Sequence, residues 1–155
     1  ALISKSNSIV LSIQVADCIP LFLADPLNGI IGLAHAGWRG IEKRIIPNTV
    51  NRIVQKGGSR KGIIAFIGPS IRQCCFEIGP EVSKKFPIDC LMDGNRDHSF
   101  LDLQQVATYQ LIDSQVLDKN ILSSEECTKC NSDKYYSYRR SGAKAGRMIG
   151  VIGLT

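Results

Sequence analysis

Residues 9–15 alternate apolar and polar side chains, with Ile9, Leu11, Ile13 and Val15 on one side. That period of two predicts a half-buried strand. Residues 19–24 are almost wholly apolar, as expected of a strand buried on both faces. Residues 30–34 form a second apolar run, and Asp25-Pro26-Leu27-Asn28-Gly29 separates the two. Proline presets φ and Asn-Gly supplies positive φ, so the pattern predicts a β-hairpin. Gly37 and Gly40 break the returning strand, and helical spacing follows over 41–55. Pro47 inside that stretch should kink the helix or start a second segment, and Gly57-Gly58 should end it. Residues 62–68 read as another buried strand closed by Pro69. "SIRQCCFEIG" reads as a turn or short helix, 80–86 as a short helix opened by proline, and 89–97 as a polar loop. Leu103, Val106, Ala107, Leu111 and Val116 predict an amphipathic helix over 101–117 with Asp102 as its N-cap. Residues 135–139 and 148–154 read as two last strands joined by the loop 141–146. Strands thus occur both in hairpins and around helices, which gives an α/β or α+β class with a mixed sheet.

Size and charge narrow this picture. A chain of 155 residues is expected to be one domain. No apolar run of about 18 residues appears, so no membrane span or membrane partner is expected. The first residues lack the charged and apolar regions of a secretory signal, and we expect a cytoplasmic protein. "ALISKSNSIV" has no methionine and reads as the middle of a longer sequence, so an N-terminal segment is expected to precede it. The net charge of +5 is dispersed. Its densest cluster, Arg139, Arg140, Lys144 and Arg147, is either solvated surface or a small-anion site. Nucleic acid is not an expected partner, because no basic stripe is interleaved with aromatics. The six cysteines are expected as reduced thiols.

Candidate chemistry centres on Cys18 and His35, just before one hairpin strand and just after the other. An antiparallel pair brings those ends together. A thiolate and an imidazole suit zinc, with copper as the alternative; they equally suit a Cys–His nucleophile pair. A small buried cysteine and a turn histidine is the plain structural alternative. Asp17 could orient a ligand or act as a base, and Arg39 could hold an anion in bidentate fashion. Cys127-x-x-Cys130 could be half of a zinc ribbon completed by Cys74 and Cys75, but adjacent cysteines are poor spacing for tetrahedral chelation. His98 lies in a polar loop and reads as surface.

Four segments, "VADCIPLFLADP", "GIIGLAHAGWRG", "IGPSIRQCCFEIG" and "YYSYRRSGAKAGR", occur in an order that resembles the bacterial laccase-domain family. These proteins are also called multicopper polyphenol oxidase-like or purine nucleoside phosphorylase-like. The resemblance covers nearly the whole chain, here a single domain of residues 1–155. It implies a layered α/β sandwich with mixed sheets flanked by helices, likened to cysteine-hydrolase-like proteins. It implies a zinc-dependent enzyme acting on purine nucleoside and phosphate: phosphorolysis of adenosine, inosine or methylthioadenosine, with adenosine deamination besides. Copper-dependent polyphenol oxidation is one alternative, and a metal-independent Cys–His hydrolase of peptidoglycan precursor editing is another. The family's metal sits on two histidines and a cysteine. Cys18 and His35 match two of these; the other histidine belongs to a Gln-x-His segment upstream of Ala1. Asp17 and Arg39 join Cys18 and His35 as catalytic candidates, and Arg139, Arg140, Cys75 and Glu77 are substrate-binding candidates. Arg72 in "RQCC", where the family more often has glycine, and Pro47 depart from the pattern.

Overall fold

The computed structural model describes residues 1–155. The central hairpin is β3 (Ile19–Asp25) and β4 (Ile30–Ala36), paired antiparallel from Ile19↔Ala36 to Asp25↔Ile30. Gly29 takes the left-handed conformation at the turn, with φ 60, where a side chain would be strained. Short β1 (Leu2–Ser4) adds to the β4 edge, β5 (Ile64–Ile67) to the β3 edge, and β9 (Ile121–Ser123) to β5. All pairings are antiparallel except β5–β9, which makes this five-stranded sheet mixed. A two-stranded ribbon of β2 (Val10–Val15) and β10 (Met148–Gly153) covers one face. A small sheet, ordered β6 (Glu77–Ile78), β8 (Ser99–Leu101), β7 (Leu91–Asp93), flanks the main one.

The layers explain the apolar run in β3. Ile19, Leu21 and Leu23 point into the main core, with Ala34, Ala65 and Ile67. Phe22 and Ala24 point the other way, toward Leu11, Ile31 and Leu33 beneath the ribbon. Both faces are covered, so alternation disappears. Helix α2 (Ile45–Gln55) lays Ile46, Val50 and Ile53 on the first face. Gly32 lets it approach: a Cβ there would lie 3.2 Å from Ile53 Cδ1. Helix α4 (Leu103–Asp113) buries Leu103, Val106, Ala107 and Leu111, the i, i+3, i+4, i+8 spacing of one helical face.

Several expectations need correction. The helix expected over 41–55 is two helices, α1 (Trp38–Glu42) and α2, divided at Arg44, whose φ is 58. Pro47 lies in the first turn of α2 and does not kink it. Its missing N–H falls where helical N–H groups lack partners anyway. Residues 135–139 are not a strand. They are an irregular stretch leading into α5 (Tyr138–Ser141), started by Ser137, whose Oγ accepts from Arg140 N at 3.1 Å. The polar loop at 89–97 contains β7. Helix α4 is shorter than 101–117, but Asp102 does cap it, accepting from Gln105 N at 3.0 Å. His35 lies inside β4, not after it. No helix is long and apolar enough to cross a membrane.

Candidate active site

Pro20 pairs with His35 in the β3–β4 register. Opposed residues share a face, and so do residues two apart along a strand. Cys18 lies in the bend just before β3, at the same end of the hairpin. Its sulfur sits against Gly37, where a Cβ would come within 2.7 Å of Sγ. The cysteine is half-buried and the histidine exposed. Burial pushes the Cys18 thiol up, and the Asp17 carboxylate adds to the shift. A free nucleophilic thiol needs the opposite.

Asp17 is buried and fully engaged. Its carboxylate accepts from Thr128 Oγ1 at 2.6 Å and from Arg139 N at 2.8 Å. Its carbonyl accepts from Ile71 N at 3.0 Å. Three distant segments converge on this one residue. Arg139 extends the clamp. Its guanidinium donates to Glu77 O at 2.8 Å and lies 5.4 Å from the Phe76 ring centre. The Glu77 carboxylate accepts from Asn95 Nδ2 at 3.4 Å.

The other arginines fare differently. Arg140 donates to the carbonyls of Thr128, Lys129 and Tyr135 at 3.1, 2.9 and 2.7 Å, so its guanidinium holds the wall together. Arg39 is exposed and stacks 4.3 Å from the Trp38 ring centre. His98 pairs with Asp97 at 3.0 Å on an exposed loop, away from the hairpin.

Beside Pro20 the ribbon and sheet leave an apolar hollow of about 190 Å³, lined by Val15, Phe22, Phe66, Tyr135 and Met148 among others. Phe22 and Phe66 stack within it at 5.9 Å. Nothing in the sequence pattern pointed to this hollow, since its lining comes from four separate segments.

Cys75 is not beside Cys18. Its sulfur lies 3.4 Å from that of Cys130, and Cys74 Sγ lies 3.8 Å from Cys130 Sγ. Together with Cys127, these sulfurs all lie within 4.8 Å of one another and could hold a metal ion. The objection from the spacing of Cys74 and Cys75 is thereby removed. This is also the one place where three or more such donors converge. Around Cys18 and His35 there is no third, because the Asp17 oxygens serve Thr128 and Arg139.

A mixed five-stranded sheet flanked by helices and covered by a two-stranded ribbon defines the fold class. The chain belongs to the multi-copper polyphenol oxidoreductase laccase family, whose family model matches residues 1–155. It is 34% identical over 154 residues to adenosine deaminase RL5 from an unknown prokaryotic organism, covering 95% of this chain and 59% of that protein. It is 34% identical over 158 residues to purine nucleoside phosphorylase YlmD of Bacillus subtilis strain 168, covering 97% and 57%. The fold matches a crystal structure of the hypothetical protein YfiH of Bacillus licheniformis with a TM-score of 0.94 at 29% identity, over 99% of this chain and 60% of the other. The chain thus spans about three fifths of the length of these relatives.

Proposed function

We propose that residues 1–155 act as one domain of a purine nucleoside enzyme, with phosphorolysis as its main reaction and adenosine deamination as its second. One observation carries this reading: Cys18, just before β3, and His35, within β4, stand at the hairpin end where Asp17 anchors Arg139. The names of the similar proteins agree with it. In phosphorolysis the bond between ribose C1′ and the purine nitrogen breaks, a phosphate oxygen bonds to C1′, and the base leaves as it takes up a proton. The chain must therefore hold phosphate and seat a flat base. Arg139 and Arg39 are our candidates for the phosphate, as guanidinium forks match its oxygens. Arg140 supports the wall that Arg139 leans on. The hollow beside Pro20, with its stacked phenylalanines, is the candidate seat for the base. Glu77 and Phe76 hold the Arg139 guanidinium in place.

Cys18 and His35 fit zinc by donor type, and they would supply two of its ligands. A zinc ion bound there contributes Lewis acidity to the reacting group. Asp17 acts beside it as a positioning residue. Copper suits the same donor types, and polyphenol oxidation is the alternative reading. Six unpaired thiols suit a cytoplasmic setting.

The test is an assay of the full-length protein with inosine and phosphate, with and without a chelator. Ribose 1-phosphate should form, fall on chelation, and return with zinc. Metal-loaded protein that yields none would sink the reading. Activity that survives chelation and is lost to iodoacetamide would favour the Cys–His hydrolase instead.

A further inference from the structure

We infer that Cys74, Cys75, Cys127 and Cys130 form a second, structural metal site that takes zinc as a tetrathiolate, separate from Cys18 and His35. Geometry carries the inference. Zinc bound to sulfur at about 2.3 Å in a tetrahedron places its sulfurs about 3.8 Å apart. The Cys130 sulfur lies 3.4 Å from that of Cys75 and 3.8 Å from that of Cys74. The whole set falls within 4.8 Å, so closing onto an ion needs only small side-chain rotations. Four soft thiolates with no carboxylate or imidazole among them select zinc over hard cations.

The backbone holds the site in shape. Cys127-Thr128-Lys129-Cys130 is a tight turn. The two chain segments are also registered against each other without any metal: Thr128 N donates to Ser70 O at 3.0 Å, and Ser70 forms a bridge with Cys127. The site is thus held in place from both sides.

Its role follows from its neighbours. Thr128 lies between the two cysteines of the turn, and its hydroxyl holds Asp17. Arg140 grips the carbonyls of Thr128 and Lys129. Zinc here would lock the turn that positions Asp17, and through it Arg139, without touching substrate. The inference stands independently of the proposed reaction.

The experiment uses the full-length protein carrying Cys18→Ser and His35→Ala, so that the first pair of donors is silenced. Elemental analysis should find about one zinc per chain, the share of one tetrathiolate site. A mercurial titration should release it as four thiols react. Cobalt replacing the zinc should give the visible bands of a tetrahedral ion with intense thiolate charge transfer. Adding Cys127→Ser and Cys130→Ser should abolish both signals. Should those variants fail to fold, the cobalt spectrum of the parent protein still decides. Amide exchange at Thr128 and Arg139 should speed up when the ion is stripped. A metal-free protein with four freely reactive thiols, a disulfide among the four, or iron or copper in place of zinc would overturn the inference.

Discussion

The β3–β4 hairpin has a buried aspartate at each end, and the two ends have diverged. At the turn, Asp25 accepts from Ser59 N at 2.6 Å and Asn28 Nδ2 at 2.8 Å. Burial alone would push its carboxyl up; these donors outweigh it and leave the carboxyl below its ordinary value. At the open end, Asp17 accepts from Thr128 and Arg139, partners 111 and 122 positions away in sequence. One carboxylate closes its own turn and ties it to Ser59, 34 positions on. The other gathers remote chain around a cysteine and a histidine. Strands that simply run out, with no turn to satisfy them, leave room for distant segments to dock. Cys18 and His35 stand at that end.

Removing each carboxylate separates the two roles. Asp17→Ala should have the largest effect. It orphans a buried hydroxyl and the Arg139 N–H, at roughly 4 kcal/mol of stability. Misplacing Arg139 should lower nucleoside turnover at least about tenfold. Denaturant melts and kcat measurements check both, and unchanged turnover would remove Asp17 from the site. Asp25→Ala should cost about 3 kcal/mol through the unpaired Ser59 N–H and leave KM untouched. Because the Asp25 carboxyl is depressed in the folded state, its contribution is complete above the ordinary value of 3.8. It is lost as the pH falls through the lower folded value. A pH series of melts should therefore show a shallower acid limb in the variant than in the parent. Gly37→Ala should have the smallest effect on stability, about 1–2 kcal/mol from overpacking against the Cys18 sulfur. Its zinc affinity should fall visibly in a chelator competition.

Much of the hairpin was legible because its signals are local. Asp-Pro-Leu-Asn-Gly fixes the turn, and two apolar runs fix the strands. That register sets His35 opposite Pro20, with Cys18 just before the strand. Arg44 was not legible as a helix break, since an arginine in left-handed backbone carries no sign in its type. Residues 135–139 misled because tyrosines favour strands, while Ser137, buried and capping, sets the helix. Strands of three residues such as β1, β7 and β9 are too short to show a period. The four-cysteine cluster was hidden for a different reason. Spacing rules judge neighbours in sequence, but Cys74 and Cys130 meet across 56 positions, through the packing of loops that follow β5 and β9. Arg140 looked like a ligand for phosphate by type, and only the fold reveals three carbonyls around it.

Gly37 has one more consequence. In the segment HAGWRG it looks like punctuation between strand and helix. Packed against the Cys18 sulfur, it also works as a gauge. It sets how closely the backbone can pass that atom, so one added methyl group would push the sulfur aside while leaving every candidate residue in the sequence.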